Sequence, residues 1–241
     1  LLLNILKIAL LIKVANRMGL NYLERLLFCL GYLFIEICLQ DYFLFTWDAL
    51  DQNLFIIAIL ALLKQNQRLL IGTYILFLLN RESVLYIPII GILFVVFSTK
   101  RYKKKVFEVF GWIAGLAGGI QIISIVRDKL FISSGYGQAD PKSNFFIPLR
   151  NLKALLFNEH WIPSKLTTTS FVAMSLVIVG IGLKSSESFD KILALSVLFS
   201  LGAIFLFGMI FESRVYLQVL PLLITLLGST YAYSRRTLEK N

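Results

Sequence analysis

Long apolar runs broken by short charged links leave this 241-residue chain few ways to fold. Inside hydrocarbon there is no water to satisfy backbone N–H and C=O groups, so a segment lodged there must pair them as a helix or within a closed barrel. Membrane barrels show alternating segments of about ten residues. The runs here, such as 106–125 and 192–210, are continuous. Hydrophobic residues make up 58% of the chain and charged residues 16%, against about 25% charged in soluble domains. The expected fold is all-α: a polytopic helical membrane protein forming a single transmembrane domain over residues 1–241.

Nine apolar segments can be threaded, at 1–12, 26–39, 54–63, 69–79, 84–98, 106–125, 170–183, 192–210 and 215–233. This predicts eight or nine spans, the first segment being the weakest because it carries Asn4 and Lys7. Several are shorter than the ~20 residues that cross a bilayer, so their helices are expected to continue into polar flanks such as 48–64 and 67–80. The links then alternate. Lys13, Arg17 and Arg25, then Lys64 and Arg68, then the basic run at 100–105, then Lys184 and Lys191, then Arg235, Arg236 and Lys240 all fall on one face. Excess Lys and Arg marks the cytoplasmic side, which predicts a multi-pass inner-membrane protein with a cytoplasmic C-terminus. That alternation counts 69–79 and 84–98 as two crossings. The same placement accounts for the net charge of +10 by headgroup anchoring and argues against nucleic acid as a partner.

The opposite face collects Asp41, Asp48 and Asp51, the turn Asn80-Arg81-Glu82-Ser83, a long loop at 127–169, and the turn Phe211-Glu212-Ser213-Arg214. Within the loop, Leu149, Leu152, Leu155 and Leu156 recur near helical spacing, which predicts an interfacial helix at 147–160 with Trp161 at headgroup depth. Gly111, Gly115 and Gly119 recur every four residues and predict a smooth helix face for close packing, intramolecular rather than a dimer seam.

Charges near a bilayer interior are costly and usually face a polar cavity. Glu82 and Glu212 can act as general acid or base or accept hydrogen bonds from hydroxyls, and Arg81 and Arg214 can clamp phosphate oxygens. The plainer alternative is that each Glu/Arg pair neutralises itself at a short turn or snorkels. Asp48 is the third catalytic candidate, or else a helix cap. Asp41 and Asp51 flank the same aromatic stretch, 42–47, which serves either as a sugar-stacking platform or as an interfacial belt. Glu36, inside a span, either faces the same cavity or snorkels, and His160 reads as an interfacial loop residue more readily than as a base. Cys29 and Cys38 lie nine residues apart on one helix, about 13 Å, too far for a disulfide. No metal-ligand spacing is present, so no metal or other cofactor is expected, with a divalent ion left open.

Trp47-Asp48-Ala49-Leu50-Asp51, a span, a basic link, a second span, and Asn80-Arg81-Glu82-Ser83 followed by Leu85-Tyr86-Ile87-Pro88 resemble bacterial membrane proteins of the GT-C glycosyltransferase type. Glu212-Ser213-Arg214 followed by Leu220-Pro221 extends the likeness, which covers about residues 41–100 and 205–235. The resemblance implies an extracytoplasmic active site and a polyprenyl-phosphate sugar donor. It also implies an envelope glycan, lipid or protein acceptor, and a catalytic Asp or Glu in the first outer loop. No candidate for that residue precedes Asp41. The chain opens at Leu1 inside an apolar run, without the charged n-region or cleavage site of a signal peptide. It is therefore expected to continue a longer protein that carries the missing loop. Two other readings stand beside the transferase: a transporter or flippase of a lipid-linked or anionic substrate, and a polymerase or ligase of surface polysaccharide. A non-catalytic scaffold is a fourth.

Overall fold

The computed structural model describes residues 2–39, 46–78, 85–98, 102–127, 162–207 and 213–239, with side chains excepted at 46–47, 126–127, 162–168, 207 and 213–215. The helix expected at 147–160 lies outside these residues. Among the described residues all regular structure is helical. The helices are α1 (Leu2–Met18), α2 (Tyr22–Leu39), α3 (Thr46–Leu63), α4 (Gln67–Phe77), α5 (Tyr86–Val96), α6 (Tyr102–Arg127), α7 (Ile162–Lys184), α8 (Ser188–Phe207) and α9 (Leu220–Leu238), with a 3-10 turn at Ser213–Gln218 before α9. Each predicted apolar segment overlaps one described α-helix, the segment 215–233 beginning in the 3-10 turn before α9, and most helices reach further into polar sequence than the segments do.

Local chemistry sets the tight links. Gly19, at φ 79°, ends α1 in the left-handed region, and the Leu20 amide reaches back to the Ala15 carbonyl, a geometry that suits glycine. Asn21 and Glu24 then start α2 with a reciprocal capping box: the Glu24 amide donates to Asn21 Oδ1 at 3.0 Å and the Asn21 amide to Glu24 Oε2 at 2.7 Å. Asn66 caps α4 one way only, accepting from the Leu69 amide at 3.0 Å. Pro88 and Pro221 fall in the first turns of α5 and α9, where no intrahelical N–H is needed.

One end of the bundle gathers several basic links. Arg235 of α9 donates to both carboxyl oxygens of Glu24 at 2.7 Å and to the Gly19 carbonyl at 3.1 Å. Ser186, between α7 and α8, meets the Tyr233 hydroxyl of α9 at 2.7 Å. The links at 13–25 and 184–191 and the C-terminal end of α9 thus lie together. Asp190, buried at the start of α8, accepts from Ser185 Oγ at 2.7 Å and Ser229 Oγ at 2.5 Å, tying α7, α8 and α9 at this same end.

Among the described residues three helical segments are long and apolar enough to cross a membrane: Tyr102–Ile125, Ser188–Leu206 and Tyr216–Leu238. The first is the most telling, since only 11% of its apolar window is buried. Phe107, Phe110, Ile113, Ile120 and Ile125 are exposed along it. So broad an apolar surface is unstable in water and is satisfied by lipid. The chain is built as a membrane protein. α4 and α5, at 11 residues each, are only about 16 Å long, roughly half the hydrocarbon thickness.

The glycine stripe of α6 packs within the chain at two of its three positions. The Tyr74 ring of α4 lies over Gly115 and Gly119, and its hydroxyl donates to the Gly115 carbonyl at 2.6 Å. Gly111 faces open space. A glycine outside the stripe makes an equally tight approach: the Trp112 indole rests on Gly91 of α5.

Candidate functional site

The first two turns of α3 carry four consecutive or near-consecutive polar residues, Asp48, Asp51, Gln52 and Asn53, and all four are buried. On a helix, residues three and four apart share a face, so Asp48 groups with both Asp51 and Gln52. Burying such groups costs several kcal/mol unless they are paired. Lys7 of α1 supplies one pairing, donating to Gln52 Oε1 at 2.7 Å and to Glu36 Oε1 of α2 in a buried ion pair. Asn53 Nδ2 donates to the Leu3 carbonyl of α1 at 3.0 Å and to the Ala49 carbonyl at 2.9 Å. Three helices are thus joined through polar side chains rather than apolar contact alone.

The cluster sits away from the basic end. Lys7 lies in the first half of α1 and Glu36 in the last turn of α2, whereas Gly19 and Glu24 at the opposite ends of those helices hold Arg235. Tyr32, one turn before Glu36, is fully buried, and its hydroxyl has no hydrogen-bond partner among the described residues. Gln52 Nε2 and Asn53 Oδ1 are likewise unpartnered there.

Glu36 therefore neither snorkels nor stands free: it is 3% exposed and neutralised by Lys7. Asp48 lies in the first turn of α3, which is described from Thr46, and there a carboxylate complements the helix dipole. Asp48 and Asp51 are both engaged with partners. Asp41, Arg81, Glu82, His160 and Glu212 lie outside the described residues, as does the side chain of Arg214. The described flanks of residues 81–82 and of Glu212 do converge on α3. The 3-10 turn Ser213–Gln218, which includes Arg214, packs against α2, α3 and α9. Phe77 at the end of α4 meets the Phe55 ring edge-on at 5.0 Å, and Tyr86 at the start of α5 lies 6.2 Å from it. Phe55 is one turn below Asp51, so the ends flanking residues 79–84 stand against the middle of α3.

Lys7, Tyr32, Gln52 and Asn53 were not among the residues singled out from sequence. Lys7 had a visible signal, an ammonium inside an apolar run. Gln52 and Asn53 had only their place beside Asp51, and Tyr32 had none. At the basic end, the Glu24 carboxyl is held below its ordinary value, chiefly by the Asn21 amide and then by Arg235; that geometry is a brace between helix ends. Among the described residues no group of three or more His, Cys, Asp or Glu is arranged to hold a metal ion. Cys29 is buried, Cys38 is exposed, and both are free thiols.

No protein-family model, curated protein or solved structure matches this chain.

Proposed function

We propose that the chain is a membrane glycosyltransferase of GT-C type that moves a sugar from a polyprenyl-phosphate carrier to an acceptor at the face opposite the basic links. The observation that carries this reading is the buried polar turn of α3, with Asp48 and Asp51 on one face, on a helix against which the Arg214-bearing turn packs. A lipid-linked phosphosugar needs two chemistries in reach of each other: carboxylates to accept hydroxyl protons, and cations for the phosphate that leaves. Asp48 and Asp51, with Glu82 and Glu212 from the two charged turns, would supply the first. Arg81 and Arg214 would supply the second, since a cluster rich in carboxylates repels phosphate.

The reading places the basic end in the cytoplasm of an inner membrane and the polar turn of α3 on the outer side. It takes lipid-linked donor and envelope acceptor as partners. Arg81→Ala and Glu82→Ala, made separately in the full-length protein, should each abolish glycan transfer in membranes while leaving insertion and expression intact. Unchanged products from both variants would overturn it.

A transporter or flippase is the second reading, favoured by the buried Lys7–Glu36 pair and by the half-length helices α4 and α5, since intramembrane charges and discontinuous helices also line transport paths. Liposomes lacking any acceptor separate the two: a transporter moves labelled lipid-linked sugar across the bilayer without forming product, and a transferase does not.

A further inference from the structure

We propose that Lys7 is the positioning residue of the α3 polar turn: a cation tethered to α1 that, through Glu36 and Gln52, sets where Asp48 and Asp51 stand. The ammonium has three protons. One goes to Glu36 on α2 and one to Gln52 on α3, so a single atom fixes the separation of three helices at the level of the candidate site. Gln52 transmits the constraint, since it shares its α3 face with Asp48 one turn away. A second link comes from Asn53, which grips the Leu3 carbonyl one turn before Lys7. The described charged or titratable groups on the elements packed here include Lys7 from α1, Glu36, Tyr32 and Cys38 from α2, Asp48 and Asp51 from α3, Tyr86 from α5 beside Phe55, and Tyr216 of the 3-10 turn.

An ion pair kept only for stability would be a poor choice. Buried pairs are often no better than apolar residues of similar volume, although losing one partner is costly. The arrangement here departs from a simple pair because its third member, Gln52, leaves Nε2 without a partner among the described residues while spending Oε1 on Lys7. An unpartnered buried amide NH2 costs stability, while the carbonyl of the same side chain ties Lys7 to α3.

The proposal concerns how the site is held and does not depend on which reaction it runs, so its test uses a readout separate from transfer. The full chain carries Ala49→Cys, one residue past Asp48, with Cys38→Ser to remove the exposed native thiol. Reaction with a charged, membrane-impermeant maleimide then reports the local opening of this turn. Gln52→Leu keeps the Lys7–Glu36 pair and cuts only its tie to α3. We expect its thermal midpoint in detergent to stay within a few degrees of the parent, while labelling at position 49 changes by about fivefold, the population shift expected from one hydrogen bond of roughly 1 kcal/mol.

Lys7→Met with Glu36→Gln removes both charges together and should also fold, with labelling shifted like that of Gln52→Leu. Lys7→Arg, which keeps the cation, should restore labelling most of the way to the parent. Parent-like labelling in both Gln52→Leu and the double variant would show that the cluster only stabilises the fold. So would labelling that changes only in step with the thermal midpoint, and either result overturns the proposal. A shift in labelling with transfer unchanged supports the positioning role and counts against the transferase reading alone.

Discussion

Lys7 reads in the sequence as a flaw in an apolar run, and in the fold it is the most connected charged side chain on its helix. Its partners lie 29 and 45 residues away, so nothing in the surrounding run announces them. Tyr32 is the opposite case. Its ring is wholly buried and its hydroxyl has no partner among the described residues. A buried hydroxyl without a partner costs about 1–3 kcal/mol. Tyr32→Phe should therefore leave the thermal midpoint unchanged or raise it. If midpoint and activity both fell, the hydroxyl would have an unseen partner that holds the fold; if activity alone fell, it would serve the site.

At the scale of the element, the apolar pattern located the described helices, while polar side chains decided where α2 and α4 begin. α2 begins one full turn ahead of its apolar run because Asn21 and Glu24 cap it reciprocally. α3 begins two turns ahead of its run, and those two turns are the candidate site. The glycines of α6 were legible as a packing face, but which of them matter was not. Gly91, outside the stripe, is where α5 and α6 meet most tightly, since an added Cβ would stand 2.3 Å from the Trp112 ring. Gly91→Ala should destabilise the protein by about 1–3 kcal/mol, the usual cost of overpacking a close contact. Gly111→Ala meets nothing within 4 Å and should be neutral or slightly stabilising. Paired thermal melts in detergent give both answers, and equal losses would mean that the α5–α6 contact is looser than it looks.

For the whole molecule, the alternation of basic links predicted one charged face. Hydrogen bonds from Arg235 to Glu24 and Gly19, and from Ser186 to Tyr233, bring three of those regions to one end. Ser186 and Glu239 are both exposed there. Single cysteines at these positions, with Cys38 removed, should react with an impermeant reagent from the same side of sealed vesicles, the cytoplasmic side in our reading. Labelling from opposite sides would break the threading. The number of crossings is a separate matter. α4 and α5 are half-length, and whether they form two crossings or enter and return, the sides of all later links stay the same, since either path restores the chain to the face it left.

The sequence by itself determined the class of this protein: helical, membrane-embedded, with charge sorted by link. Hydrocarbon permits so few backbone arrangements that composition and run length suffice. It also placed Asp48, Asp51 and Glu36 among the residues worth watching. Only the tertiary structure decided that Glu36 belongs to Lys7, that Gln52 joins them to α3, and that the turn bearing Arg214 packs against that same helix. Those choices rest on contacts between distant segments, set by how three helices pack side by side, and no periodicity within one helix encodes the neighbour it will meet.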